Sequence, residues 1–360
     1  MQLNQSYARM SDGDLCNAGV AKGMTDIHAR HVLFHMLGDA NTASSRVRGY
    51  WIADELRALG YETSFFSART RSDYLRLAWR AFRSDVVIFQ KRYSRYDVLI
   101  ARILNALGRP IFFDIDDAPS RNRSPVTERN AARMMRLATR VFAGSHNLKA
   151  LVDKAGGHSE FLPSGIRLEN YAVSKQDDRT PICLGWIGNG GHYADDLVEI
   201  LREPLRMIAA RQPIRFKIVG ACGETRLSDG FGGIEGLELD MIDQLDWSNP
   251  ADVAAAVVDF DIGLYPLREN PFNKFKCAFK ALEYMATGIP VVASNVGANG
   301  DVVTDKSDGF LVNGPDQWVN ALQRLIESPE ERHAMGQAGR LKIEQDYSTA
   351  ALARQVAGLL

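Results

Sequence analysis

Short apolar runs alternate along this 360-residue chain with longer stretches in which apolar positions recur every three or four residues. The first pattern predicts strands and the second amphipathic helices. In the first half the strand segments are HVLFHML (31–37), YETSFFS (61–67), DVVIFQ (85–90), PIFFDIDD (110–117), VFAGS (141–145) and EFLPS (160–164). The helical ones include 44–60, closed by a glycine, 72–83, 96–108 and 147–156. A polar stretch, RLENYAVSKQDDRT (167–180), interrupts the alternation and reads as a linker. It resumes with strands at 182–188, 215–221, 237–242, 261–267, 289–294 and 309–313, separated by helices that include 192–211 and 316–327. Strand alternating with helix predicts parallel sheets covered on both faces. The expected architecture is therefore α/β, two Rossmann-like domains (31–166 and 181–345) facing across a cleft, with ligands beyond the carboxyl ends of the strands. Residues 1–30 read as a loose N-terminal extension, and 346–360 as a C-terminal helix returning to the first domain.

Charge changes this picture. The formal net charge is −1, yet residues 1–180 hold 27 Lys+Arg against 19 Asp+Glu, and residues 181–360 hold 16 against 25. A basic half suggests an anionic partner: a phosphate-bearing acceptor or a membrane surface met peripherally. Nucleic acid is disfavoured, because the arginines are dispersed and no reading motif accompanies them. No run of eighteen apolar residues predicts a spanning helix, and the N-terminus lacks the pattern of a signal peptide. Cys16, Cys183, Cys222 and Cys277 form neither a metal-type pair nor a disulfide framework. The expected location is the cytoplasm, or its membrane face.

Five stretches carry chemistry. In KCAFKALEYMATGIPVVAS (276–294) the spacing predicts one helix with Lys276, Lys280 and Glu283 on a single face, stopped at Gly288. Lysines at i and i+4 repel by roughly 0.2–0.5 kcal/mol, which an anion would offset; a solvated face with Lys280 paired to Glu283 is the alternative. GWIGNGGHYADD (185–196) follows a strand and opens a helix, so Gly188, Asn189, Gly190 and His192 stand where backbone can approach an anion. A dinucleotide fingerprint fails there, since Tyr193 replaces the third glycine, and a plain tight turn is the alternative. FFDIDD places Asp114, Asp116 and Asp117 at a strand's carboxyl end, where they can hold an acceptor, bind a divalent cation, or pair with basic residues such as those of SRNRS (120–124). Arg46 and Arg48 open the first helix and can meet a phosphate or remain solvated. In SDYLRLAWRAFR (72–83), Arg76, Arg80 and Arg83 share a face beside Tyr74, Trp79 and Phe82, which suits an anionic bilayer or an ordinary sheet-covering helix. His146 and His192 lack metal spacing or a nucleophile partner.

The order of these motifs, from SSRVR, DVVIFQK, FFDIDD and LPSGI to GWIGN, DIGLYPL, KCAFKALEYMATGIPVVAS and ERHAMGQAGRLKIEQDYS, resembles the GT-B retaining glycosyltransferases of family 4, over about residues 31–360. The resemblance implies a nucleoside-diphosphate sugar on the second domain, a glycan or lipid-linked acceptor on the first, and transfer without a required metal or cofactor. Carried over, Glu283 holds the nucleotide ribose, and Lys276, Cys277 and Lys280 surround the diphosphate; Trp247, after the third strand of the second domain, borders the base or packs in the core. Lys276 and Lys280 then stabilise the leaving group while Asp114, Asp116 and Asp117 position the acceptor, with Arg46, Arg48 and Asp116 binding it. Two departures stand out: the family's second acid, eight residues before Glu283, is Phe275 here, and its basic pair after the domain's first strand is replaced by GNGGH. A silent GT-B nucleotide-sugar binder and a GT-B epimerase or phosphorylase are the competing expectations.

Overall fold

The computed structural model describes residues 30–119, 124–174 and 179–360. Most of the N-terminal extension, the arginines at 121 and 123, and part of the linker therefore lie outside the described residues. Each segment expected as a strand is one. The first sheet holds β1 His31–His35, β2 Glu62–Phe66, β3 Val86–Gln90, β4 Ile111–Ile115, β5 Arg140–Ala143 and β6 Ser159–Phe161, in the order β2-β1-β3-β4-β5-β6. The second holds β7 Ile182–Ile187, β8 Ile214–Val219, β9 Leu237–Ile242, β10 Ile262–Tyr265, β11 Val291–Ser294 and β12 Gly309–Val312, in the order β12-β11-β10-β7-β8-β9. Every pairing is parallel. The strand order reverses between β1 and β3, and again between β7 and β10. Crevices for ligands open at such switch points.

Both faces of each sheet are buried, as near-continuous apolar strands require. In the first sheet Leu33, Val87, Phe89 and Phe113 face one helical layer, while Val32, Phe34, Ile88 and Phe112 face the other. The second layer is completed by the last helix, Thr349–Ala357, whose Leu352 and Val356 pack into it. The chain crosses between domains at Ile166 and Ser348, which form a parallel bridge.

Two elements differ from their expected form: the helix expected over 44–60 holds a π-helical turn, Arg46–Tyr50, and the lysine helix is shorter. The helix after β10 is Phe279–Ala286, and Lys276 lies ahead of it rather than on its face. Ala278 sits in the left-handed region (φ 53°), which breaks the helix one residue before Phe279. Gly288, at φ 72°, ends the helix as expected, with the Ile289 N–H reaching the Tyr284 carbonyl at 3.0 Å.

Candidate active site

After β7 the chain turns through Gly188 and Asn189 into helix Gly190–Ala209. The Asn189 side chain caps that helix by accepting from the His192 N–H at 3.1 Å. A Cβ on Gly190 would stand 2.5 Å from the Ala221 carbonyl oxygen, and one on Gly188 2.6 Å from Lys280 Cε. The glycines thus serve close packing: Gly190 against the loop after β8, and Gly188 against a lysine stem.

That lysine is the centre of the site. Lys280 Nζ lies 4.5 Å from the Tyr193 ring centroid, 5.1 Å from Tyr265 and 5.6 Å from Trp186. Lys276 Nζ lies 4.3 Å from Phe272 and 5.5 Å from the same Tyr193 ring. Neither ammonium has a salt-bridge partner among the described residues. Burial lowers the Lys280 pKa, with Lys276 adding to the effect and Tyr193 opposing it. Two cations are thus held together by aromatic faces, with the Glu283 carboxyl of the same cavity also drawing Lys280 toward its charged form.

Glu283 lies one turn along the helix and is 7% exposed. Tyr171 Oη donates to its Oε1 at 3.1 Å. Burial pushes the Glu283 carboxyl up to about 7, against the pull of Lys280, the Tyr171 hydrogen bond and Arg46. Since the folded pKa exceeds the unfolded value, this group costs stability as pH rises from about 4.5 through 7. Glu283→Gln should therefore melt above wild type at pH 8, by on the order of 2–3 kcal/mol, and the gap should close below about pH 4.5. Thermal melts across that range check it, and a constant gap would contradict the raised pKa.

Arg46 reaches this cavity from the first domain. Its Nη2 donates to the Trp247 carbonyl at 2.8 Å and its Nη1 to the Ser248 carbonyl at 3.4 Å, so it spans the cleft. Trp247 is half-exposed and lines the cavity with Gly188, Tyr193, Tyr265, Lys276, Cys277, Lys280 and Glu283, around a volume of about 280 Å³. Asp117 of the first domain closes the opposite wall. His192 stands outside, in an adjoining hollow with Lys276.

The first-domain residues sort into two groups. Arg48 lies in a π-helical turn, Arg46–Tyr50, and binds Asp114 through Nε at 2.9 and 3.0 Å and through Nη2 at 2.5 Å. Both are buried, at 5% and 1% exposure. Burial works against the Arg48 charge, and the Asp114 carboxylate outweighs it, holding its pKa above the ordinary guanidinium value. The expectation that Asp114 is catalytic and Arg48 binds acceptor is thus corrected: each is the other's partner, closed to solvent. Asp116 and Asp117 instead share Lys91, whose Nζ lies 2.7 and 2.9 Å from them. The ammonium thus bridges the two carboxylates. Among the described residues no cluster of three metal-ligating side chains occurs. Across the cleft, burial first and then the nearby Asp116 and Asp117 push the Cys277 thiol up to about 11, so it is no thiolate nucleophile.

Phe275, in the turn Asn273–Phe275, packs on the apolar cluster of the first domain. Beside it, Asn147 Nδ2 donates to the Lys274 carbonyl at 2.8 Å, and Asp301 accepts from the His146 N–H at 2.9 Å. The residue that departs from the family pattern is thus an apolar contact between domains, and His146 belongs to the same seam. Sequence reasoning missed Lys91, Tyr171, Tyr193 and Tyr265. Tyr193 did leave a signal, as the residue that spoiled the dinucleotide pattern; Lys91, at φ 51°, left none.

Two facing α/β domains, with the charged residues gathered where both sheets end, define a GT-B protein. Solved structures share this fold: sucrose-phosphate synthase from Thermosynechococcus elongatus (TM-score 0.67, 15% identity, 92% of this chain and 98% of that one) and Anabaena HepE in complex with UDP (TM-score 0.68, 15% identity, 92% and 99%). Residues 181–328, most of the second domain, match the family described as Glycosyl transferases group 1. Among curated relatives, a GDP-mannose-dependent monoacylated alpha-(1-6)-phosphatidylinositol monomannoside mannosyltransferase of Corynebacterium glutamicum is 24% identical, over 61% of each chain. A D-inositol 3-phosphate glycosyltransferase of Corynebacterium efficiens is 33% identical over 32% of this chain. The aligned stretches span only 61% and 26% of those relatives' lengths.

Proposed function

We propose that this protein transfers a sugar, with retention of configuration, from a nucleoside-diphosphate sugar to a hydroxyl of a glycan or lipid-linked acceptor. The observation that carries the reading is a pair of ammonium groups without a salt-bridge partner among the described residues, Lys280 one helical turn before Glu283 and Lys276 ahead of that helix, in one cavity. A diphosphate between the lysines removes their repulsion and desolvation together. Its negative charge grows as the glycosidic bond breaks, so the lysines bind the transition state more strongly than the ground state. Glu283, drawn toward its charged form by hydroxyl donors, accepts from two ribose hydroxyls, and Trp247 offers a face to the base. Arg46 holds the Trp247 loop from across the cleft, so binding and domain closure are coupled and water is expelled. The acceptor hydroxyl comes from the first-domain side, where Asp116 and Asp117 meet the cleft. Burial opposes the charge of Asp116, and Lys91 and Arg48 outweigh it, keeping it a carboxylate that accepts hydrogen bonds.

The donor base is open between the UDP bound by HepE and the GDP-mannose named for the corynebacterial relative. A thermal-shift panel of UDP, GDP, dTDP, CMP and NAD on wild type tests the reading. One nucleoside diphosphate, present at about 100 times its dissociation constant, should stabilise the protein by ~2.7 kcal/mol, and Glu283→Ala should lose most of that shift. A shift with NAD, or with none of the panel, contradicts it.

A further inference from the structure

Helix Arg71–Phe82 buries Leu77 and Ala81 against the first sheet, and helix Arg95–Ala106 buries Val98, Ala101 and Leu104 in the same cluster. The two lie side by side: the Tyr74 and Tyr96 rings stand 4.9 Å apart and Tyr74 Oη is 2.9 Å from Ser94 Oγ. Each helix then carries a second apolar stripe on its outer side. Leu75 (76% exposed), Trp79 (60%) and Phe82 (44%) follow i, i+4, i+7 spacing; Leu99 (53%), Ile103 (42%) and Leu107 (58%) follow i, i+4, i+8. Six large apolar side chains on one outer layer exceed what scattered surface residues explain.

Charge decides what covers them. Residues 69–109 hold ten Lys+Arg and three Asp+Glu, in a chain of net charge −1; of the ten, Lys91 faces Asp116 and Asp117 and Arg92 faces His35 and Asp97, away from the outer layer. The three acids are engaged locally: Asp73 in the capping box with Thr70, Asp85 on the His31 N–H, and Asp97 buried against His35. On the helical wheel Arg71 flanks the first stripe on one side, with Arg76 and Arg83 on the other, and Arg102 flanks the second. The Arg83 guanidinium lies 4.7 Å over the Trp79 ring.

We propose that this two-helix face docks on an anionic lipid bilayer, seating the apolar stripes at the acyl boundary and the arginines on lipid phosphates. Tryptophan between an apolar stripe and a guanidinium suits that interface, and arginine stems bury while their heads stay with the phosphates. No helix among the described residues is long and apolar enough to cross a membrane, so the contact is with the surface. The inference stands apart from the donor reading, which concerns the other domain.

The test is co-sedimentation of the full chain with vesicles of phosphatidylcholine alone, and of phosphatidylcholine with about one-third phosphatidylglycerol. Wild type should sediment with the anionic vesicles only, and leave them at about 1 M salt, where the Debye length shrinks to roughly 3 Å. Leu75→Ser/Trp79→Ser and Arg76→Glu/Arg102→Glu should each weaken binding at least about tenfold while melting at the wild-type temperature. Wild type that stays in the supernatant overturns the proposal, as do equal binding to neutral lipid or variants that bind like wild type. Concentration-dependent self-association lost in Leu75→Ser/Trp79→Ser, without vesicle binding, would assign the face to a second copy instead. Nucleotide thermal shifts are unaffected by any of these outcomes, so failure here leaves the donor site standing.

Discussion

Lys280→Met should lower turnover of the donor sugar nucleotide by on the order of 10²–10³-fold and yet leave the protein as stable as wild type, or more so. The two halves of this expectation have one cause. In the free protein the Lys280 ammonium is buried among Trp186, Tyr193 and Tyr265 with no carboxylate in salt-bridge contact among the described residues, and burial, with Lys276, lowers its pKa against the pull of Tyr193 and Glu283. Methionine keeps the stem that packs on Gly188 and removes the desolvated charge. Stability therefore does not fall, while the stabilisation of the departing diphosphate is lost. A lysine with a purely structural role would give the opposite pattern, a lower melting temperature with turnover per folded molecule unchanged. Thermal melts and initial rates on the same preparation separate the two.

Arg48→Met should be the most destabilising change in the first domain, by about 3–5 kcal/mol. It strands Asp114, 1% exposed at the end of β4, without the guanidinium that engages both its oxygens. Removing both charges in Arg48→Met/Asp114→Leu should recover most of the loss, since a buried ion pair replaced by apolar groups is often near neutral. Denaturant titrations of the two variants and wild type read this directly. Wild-type stability in Arg48→Met would mean that the pair does not hold the π-helical turn, and would return Asp114 to the cleft as an acceptor residue.

The inner strands were readable because they are buried on both faces, and the half-covered edge strands β2, β6 and β9 because flanking turns mark them. The carboxylates were less so. Alternation along β4 puts Asp114 on the side of Phe112, toward the helix that carries Arg48. Nothing in the sequence says that this arginine, 66 residues earlier, is its partner. The break at Ala278 was invisible for a similar reason. A left-handed residue usually announces itself as glycine, and here an alanine is held there by its surroundings, shifting Lys276 off the helix it resembles by spacing. Lys276, Lys280 and Glu283 still meet in one cavity, but across a break in the helix rather than along it. Tyr171 came from a stretch read as a polar linker, because one buried hydroxyl leaves no periodic trace.

The central claim is that this cavity splits a sugar nucleotide, and product analysis tests it most directly. UDP-glucose and GDP-mannose are each incubated with the protein and a hydroxyl acceptor, with Lys280→Met as the blank. The account predicts that one of them releases its nucleoside diphosphate at a rate the variant lacks, with the anomeric proton of the product retaining the donor's configuration by NMR. Release that is equal in wild type and Lys280→Met, or a product of inverted configuration, would contradict it.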